Sequence, residues 1–348
     1  MKKAEEKLIE QVNYGLWFLK GLVWLVILLV PLTLLYSLLA PAWPQNDVTI
    51  TQKPVEVKHE IVLAKAPSDW RMNKEENAEL LKYGQELIAN TAYYIGFNGT
   101  KKKITNGLNC QNCHLDAGRK PWGNNYLSVA SMYPQVRKRS GKMTDVYGRI
   151  NGCLQRSLNG QPMDSTEHEM QAMAAYIQWL GQDVPKGKKA AGSKVFPIAF
   201  LDRAADPLKG KPVYEAKCAS CHQSDGQGIL ADNGRSYTYP PLWGPRSYND
   251  GAGLYRISKF AGYVKMNMPF GVSHENPQLT DEEAWDLAAF VNSMDRPVKD
   301  KSKDWPDLKD KPLDHPFGPF EDPFPESQHK YGPYKPIEEW YANNSKTK

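Results

Sequence analysis

The stretches Cys110-Gln111-Asn112-Cys113-His114 and Cys218-Ala219-Ser220-Cys221-His222 decide how this chain is read. In each, two thiols stand about one helical turn apart and a histidine follows the second at once. That arrangement suits covalent c-type haem. The thiols add to the two vinyl groups, and the histidine reaches the iron from the proximal side. A zinc site, a disulfide pair or a redox dithiol also uses closely spaced cysteines. None of the three requires a histidine directly after both pairs. The reading is therefore two covalently bound haem c groups, one held by Cys110, Cys113 and His114, the other by Cys218, Cys221 and His222.

Working outward, the surroundings of the two boxes look like copies. A helical approach precedes each box, a loop rich in glycine and proline follows it, and an amphipathic helix closes the unit. The first closing helix is expected over 167–180, with Met170, Met173, Ala174, Ile177 and Leu180 on one face. The second is expected over 281–294, with Trp285, Ala288, Ala289 and Asn292 recurring similarly. Thr280 with Glu283 reads as a capping box, and Ser165 or Thr166 with Glu169 as its counterpart. No strand pattern stands out. The fold class is mainly α, with two cytochrome c-type domains over 69–184 and 211–297, joined by a linker of Lys, Gly, Ala and Pro over 185–210. Residues 298–348 form a tail rich in proline and aromatics. Its prolines argue against helix, and its aromatics suggest that it wraps over a domain surface.

The N-terminus is expected to set the compartment. Residues 21–40 are an uncharged apolar run about as long as one bilayer span. Lys2, Lys3, Lys7 and Lys20 precede it, which places the N-terminus on the cytoplasmic side. Residues 1–40 thus read as a cytoplasmic stub and transmembrane helix touching lipid through 21–40, and residues 41–68 as a tether. The expected localisation is the inner membrane, single-pass, with the haem domains on the periplasmic side. Ala40-Pro41-Ala42 offers a cleaved signal peptide as the alternative, with the same export. The chain of 348 residues has a net charge of +5, with 41% hydrophobic and 24% charged residues, an ordinary globular balance. No nucleic-acid motif accompanies it, so no nucleic-acid partner is expected.

Each haem iron needs a sixth ligand or an open position. In the second domain the candidate is Met268, in Lys265-Met266-Asn267-Met268-Pro269, with Met266 as its local rival. A Met before Pro, shortly before the closing helix, is the usual design of small c-type cytochromes. The first domain has no such pair. Its counterpart position holds Cys153, the one cysteine outside the boxes, with Met163 as the alternative ligand. An inert buried thiol and an intermolecular disulfide are the plainer readings of Cys153. The charge around it is lopsided, however. Between residues 101 and 160 only Asp116 and Asp145 are acidic, against a long run of lysines and arginines. Arg149 and Arg156 flank Cys153 within one or two helical turns, and Ser157 lies one turn after it. Paired guanidinium donors and a hydroxyl suit a small oxyanion substrate.

The string Arg149-Ile150-Asn151-Gly152-Cys153-Leu154-Gln155-Arg156-Ser157-Leu158-Asn159-Gly160 resembles the signature of dihaem thiosulfate dehydrogenases, which also act as tetrathionate reductases. The stretches 109–131 and 305–319 are similar to that family too. The resemblance implies two cytochrome c domains. It implies a catalytic haem ligated by His114 and Cys153 and an electron-transfer haem ligated by His222 and Met268. Arg149, Asn151 and Ser157 then contact substrate. Two thiosulfates couple to tetrathionate, reversibly, and two electrons pass to another c-type cytochrome or a respiratory complex. The expected tether departs from the family, whose members vary at the residue before the methionine ligand, Asn267 here, where some carry a lysine. Competing functions are a non-enzymatic electron shuttle, a dihaem peroxidase using Glu167 or His168, and a subunit that only carries sulfur.

Overall fold

The computed structural model describes residues 17, 19–25, 27, 31 and 62–344. The chain divides into two units, Met1–Glu60 and Ile61–Lys348. In the first unit the described residues are helical. Among the described residues no helix is long and apolar enough to cross a membrane. This overturns the expected single-pass anchor and with it the inner-membrane localisation. A crossing takes about 20 consecutive apolar residues, and the described positions within 21–40 do not supply them. The rest of that run, and residues 41–61 of the expected tether, lie outside the described residues. Residues 62–68 lie along the second unit, where the Ala64 amide donates to Ala191 O (3.2 Å) and Ala66 packs on its first core.

The second unit is mainly helical and has two hydrophobic cores. The first is built from α1 (Ala78–Ala89), α2 (Val146–Arg156) and α3 (His168–Leu180). Leu81, Leu87 and Ile88 of α1 meet Ile150 and Leu154 of α2 and Met170, Met173 and Ile177 of α3, all buried. The second core is built from α4 (Pro207–Lys217), α5 (Ile257–Asn267) and α6 (Asp281–Ser293). There Tyr214, Phe260, Val264, Trp285, Leu287 and Ala288 are buried together. Each Leu, Ile, Met, Val or Phe among them, fully withdrawn from water, contributes about 1.5–3 kcal/mol.

A glycine sets the helix crossing in each core. Gly84 of α1 lies against the carbonyl of Ala172 on α3, and Gly210 of α4 lies against the carbonyl of Asp286 on α6. A β-carbon at either position would overlap that oxygen, so the first and closing helices of each half approach backbone to backbone.

Local details depart from expectation in three places. At α6 the capping box forms, with Glu283 N donating to Thr280 Oγ1 (3.1 Å) and Thr280 N to Glu283 Oε2 (2.9 Å). At α3 the expected box does not, because the Glu169 carboxylate takes the Tyr83 hydroxyl instead (3.0 Å). Two short antiparallel hairpins occur where no strand was expected. They are β1 (Gln135–Arg137) with β2 (Lys142–Thr144), and β3 (Ile229–Leu230) with β4 (Tyr237–Tyr239). Strands this short carry no readable alternation.

The tail also contains helix, in α7 (Glu326–Tyr331) and α8 (Lys335–Asn344). Pro325 sits at the N-cap of α7 and Pro336 in the first turn of α8. At those positions a missing N–H removes no helical bond. Tyr334 and Ile337 are buried in the second core, so the tail closes over it. Gly84→Val should force α1 away from α3 and cost about 1–3 kcal/mol, the usual penalty of overpacking. A lowered urea midpoint would report it, and Gly210→Val should act alike on the second core.

Candidate functional site

The first box is held from three sides before its thiols come into play. Cys110–Asn112 form a 3-10 turn. The Cys110 amide donates to Thr91 Oγ1 (2.9 Å), and Asn109 Oδ1 accepts from Ala92 N (2.8 Å). His114 Nδ1 lies 2.5 Å from the carbonyl of Asn124. A carbonyl only accepts, so Nδ1 carries the proton and Nε2 keeps its lone pair for a metal. The Tyr126 ring stacks on the imidazole with centroids 4.4 Å apart. Burial pushes the Cys110 and Cys113 thiols up to about 12.

Cys153 faces the same space from α2. The helix starts where Asp145 Oδ1 accepts from Gly148 N (2.8 Å). One turn inside it, Arg149 Nη1 donates to Cys153 Sγ at 2.7 Å. Burial alone would raise this thiol. The Arg149 charge and its hydrogen bond work against burial, and the thiol is brought down to about 6. The Cys153 charge in turn raises the Arg149 pKa. A cavity of about 340 Å3 is lined by Cys110, His114, Tyr126, Tyr133, Arg149 and Cys153, among others. Its donor set fits haem: the Cys110 thiol in the wall with Cys113 three residues on in the same box, a histidine in the ligating tautomer, and a soft sulfur held as thiolate. None of the five cysteines is in a disulfide.

The second box repeats the tautomer device. His222 Nδ1 lies 2.8 Å from the carbonyl of Pro240, leaving Nε2 free, and burial lowers the imidazole pKa. Burial pushes Cys218 up to about 11. Met268 directly follows α5 and packs, like Cys218, against the second core. Its rival Met266 is buried at 5% exposure.

The other expected site residues are placed around the cavity rather than in its wall. Asn151 exchanges two 2.9 Å hydrogen bonds with the backbone of Met163. Arg156 turns away from the cavity. It pairs with Asp304 of the tail (2.6 Å) and donates to Gly251 O (3.2 Å). Ser157 caps the end of α2. Met163 is buried at 4% exposure and does not line the cavity. Glu167 pairs with Lys102 and His168 stacks on Tyr83, so neither faces the cavity as an acid-base group. Sequence reasoning missed Lys189 and Lys194, which line the cavity from the expected linker. Burial lowers the Lys194 pKa, and the nearby Lys189 charge adds to the effect. Their only signal was the lysine content of that segment.

Comparison with known proteins follows the same division. Residues 99–185 match the family described as SoxA/TsdA, cytochrome c domain, and residues 208–295 match cytochrome c. The chain is 34% identical over 264 residues to the thiosulfate dehydrogenase of Psychrobacter arcticus, covering 75% of this chain and 77% of that protein. It is 40% identical over 199 residues to the thiosulfate dehydrogenase of Allochromatium vinosum, covering 56% and 72% respectively. Among solved structures, the as-isolated form of thiosulfate dehydrogenase from Marichromatium purpuratum superposes with a TM-score of 0.64 at 28% identity. That match covers 76% of this chain and 55% of the solved one, so this chain spans just over half of that larger protein.

Arg149 is the charge that keeps Cys153 ionised, which gives a direct test. In Arg149→Gln the thiol should lose its main compensation for burial, and its titration should move up from about 6. The pH dependence of Cys153 alkylation should shift to higher pH than in the parent. An unmoved midpoint would assign the low value to another group.

Proposed function

The chain belongs to the thiosulfate dehydrogenase family, and on that premise we propose that it oxidises thiosulfate at the cavity of its first cytochrome c domain. Two molecules are joined into tetrathionate, and the two electrons leave through two covalently bound haem c groups. Cys110, Cys113 and His114 would hold the first haem, with Cys153 as its further ligand. Cys218, Cys221, His222 and Met268 hold the second. When bound, the haems supply iron centres that accept one electron each.

The observation that carries this reading is the Cys153 thiolate beside Arg149 in a cavity shared with His114. Two thiosulfate dianions repel one another, so bringing their sulfurs together needs positive charge. Arg149, Lys189 and Lys194 supply it from the cavity wall. Cys153 takes one thiosulfate through its outer sulfur, forming a sulfur–sulfur bond as two electrons leave. The outer sulfur of a second thiosulfate attacks the sulfur bonded to Cys153. Tetrathionate departs and the thiolate is restored. Run backwards, the same steps reduce tetrathionate. Asn151 anchors the Met163 segment behind α2, and Arg156 and Ser157 support the end of that helix. The electrons pass on to a further c-type cytochrome or a respiratory complex.

A shuttle without sulfur chemistry would need the boxes but neither Cys153 nor Arg149. In Cys153→Ala both haems should remain attached by pyridine haemochrome assay, while reduction by thiosulfate is abolished. Substantial thiosulfate-dependent reduction in that variant would remove Cys153 from the chemistry. A parent protein that thiosulfate fails to reduce at all would leave the shuttle.

A further inference from the structure

Helix α5 reaches across to the first haem-attachment box. Tyr263, 4% exposed, donates its hydroxyl to the carbonyl of Asn112, inside Cys110–His114, at 2.6 Å. One turn later Asn267 Nδ2 donates both to Tyr263 O (2.9 Å) and to Trp122 O of the first domain (3.1 Å). The next residue is Met268. Just past it, Val272 O accepts from Lys120 Nζ of the first domain (3.2 Å). The element that presents Met268 is therefore fastened to the first domain before, beside and after that residue. Burial raises the Tyr263 pKa well above the ordinary range, which keeps the hydroxyl a donor.

We infer that Tyr263 is a positioning residue for electron transfer between the two haem sites: its bond to Asn112 fixes the separation between the first attachment box and the end of α5 that carries Met268. The inference rests on the ligand assignments proposed above. Electron transfer falls steeply with distance, so slack of a fraction of an ångström between two ligand-bearing elements costs rate. In the step itself one electron would pass from the iron that His114 and Cys153 would hold, ferrous to ferric, to the iron that His222 and Met268 would hold, ferric to ferrous. Tyr263 loses neither electron nor proton. Other bonds, such as Asn106 Nδ2 to Ser247 O (2.9 Å), dock the two domains independently. Removing one hydroxyl therefore leaves them together.

The test uses the full-length holoprotein and Tyr263→Phe, which keeps the ring and deletes the bond. After flash reduction by less than one equivalent of electrons, redistribution between the haems is followed at wavelengths that separate thiolate from methionine ligation. The expected result is a severalfold slower redistribution, with the equilibrium spectra of both haems unchanged. Amide exchange at residues 112–114 should also quicken. A redistribution rate equal to the parent's overturns the proposal. If Tyr263→Phe fails to load both haems, Asn267→Leu, which deletes the bond to Trp122, is expected to slow redistribution likewise, and an unchanged rate there also overturns it. A parent spectrum without a methionine-ligated haem instead removes the Met268 assignment, and this inference with it.

Discussion

A thiolate in a buried cavity wall requires a cation against it, and the 2.7 Å contact from Arg149 to Cys153 supplies one. Leaving such a charge unpaired costs several kcal/mol, enough to return the proton to the sulfur. The contrast inside one cavity makes the point. Cys110 is pushed up to about 12 by burial, whereas Cys153, no less enclosed, is held near 6. The surrounding architecture serves this pair. Asp145 starts α2 at the register that aims both residues inward. Asn151 ties the Met163 backbone to the same helix. The crossing at Gly84 closes the core behind it.

The second half carries the same plan with different chemistry. Each half brings its first and closing helices together over a glycine, and each fixes its proximal histidine by giving Nδ1–H to a backbone carbonyl. In the proposed assignment a thiolate, Cys153, completes one site and a thioether, Met268, the other. These ligands pull iron potential in opposite senses, the thiolate by donating charge and the thioether by favouring the reduced metal. Two copies of one scaffold can thereby differ in task through a single side chain each.

The joints between the copies are polar and specific. Arg156 leaves the cavity to pair with Asp304, and the Trp305 amide donates to Arg139 O (2.6 Å). The tail thus grips the first domain near residue 305 and the second core at Tyr334 and Ile337. Wrapping of this kind follows from aromatic composition. The helices α7 and α8 were not legible, because a proline that begins a helix looks in sequence like one that ends it.

The sequence by itself determined what lies within a turn or two of chain. It gave the two attachment boxes, because thiol, thiol and histidine must be near neighbours to embrace one porphyrin. It also gave the α6 capping box, the buried faces of the closing helices, and Cys153 with Arg149 one turn before it. Only the tertiary structure decided which of the flanking cations reach the sulfur. Arg156 is nearer to Cys153 in sequence than Arg149 is, yet it points to Asp304, while Lys189 and Lys194 arrive from a distant segment. The same holds for Tyr263 meeting Asn112 and for Glu169 choosing Tyr83 over a cap. A side chain's partner is set by where the chain returns in space, and local spacing carries no record of that return.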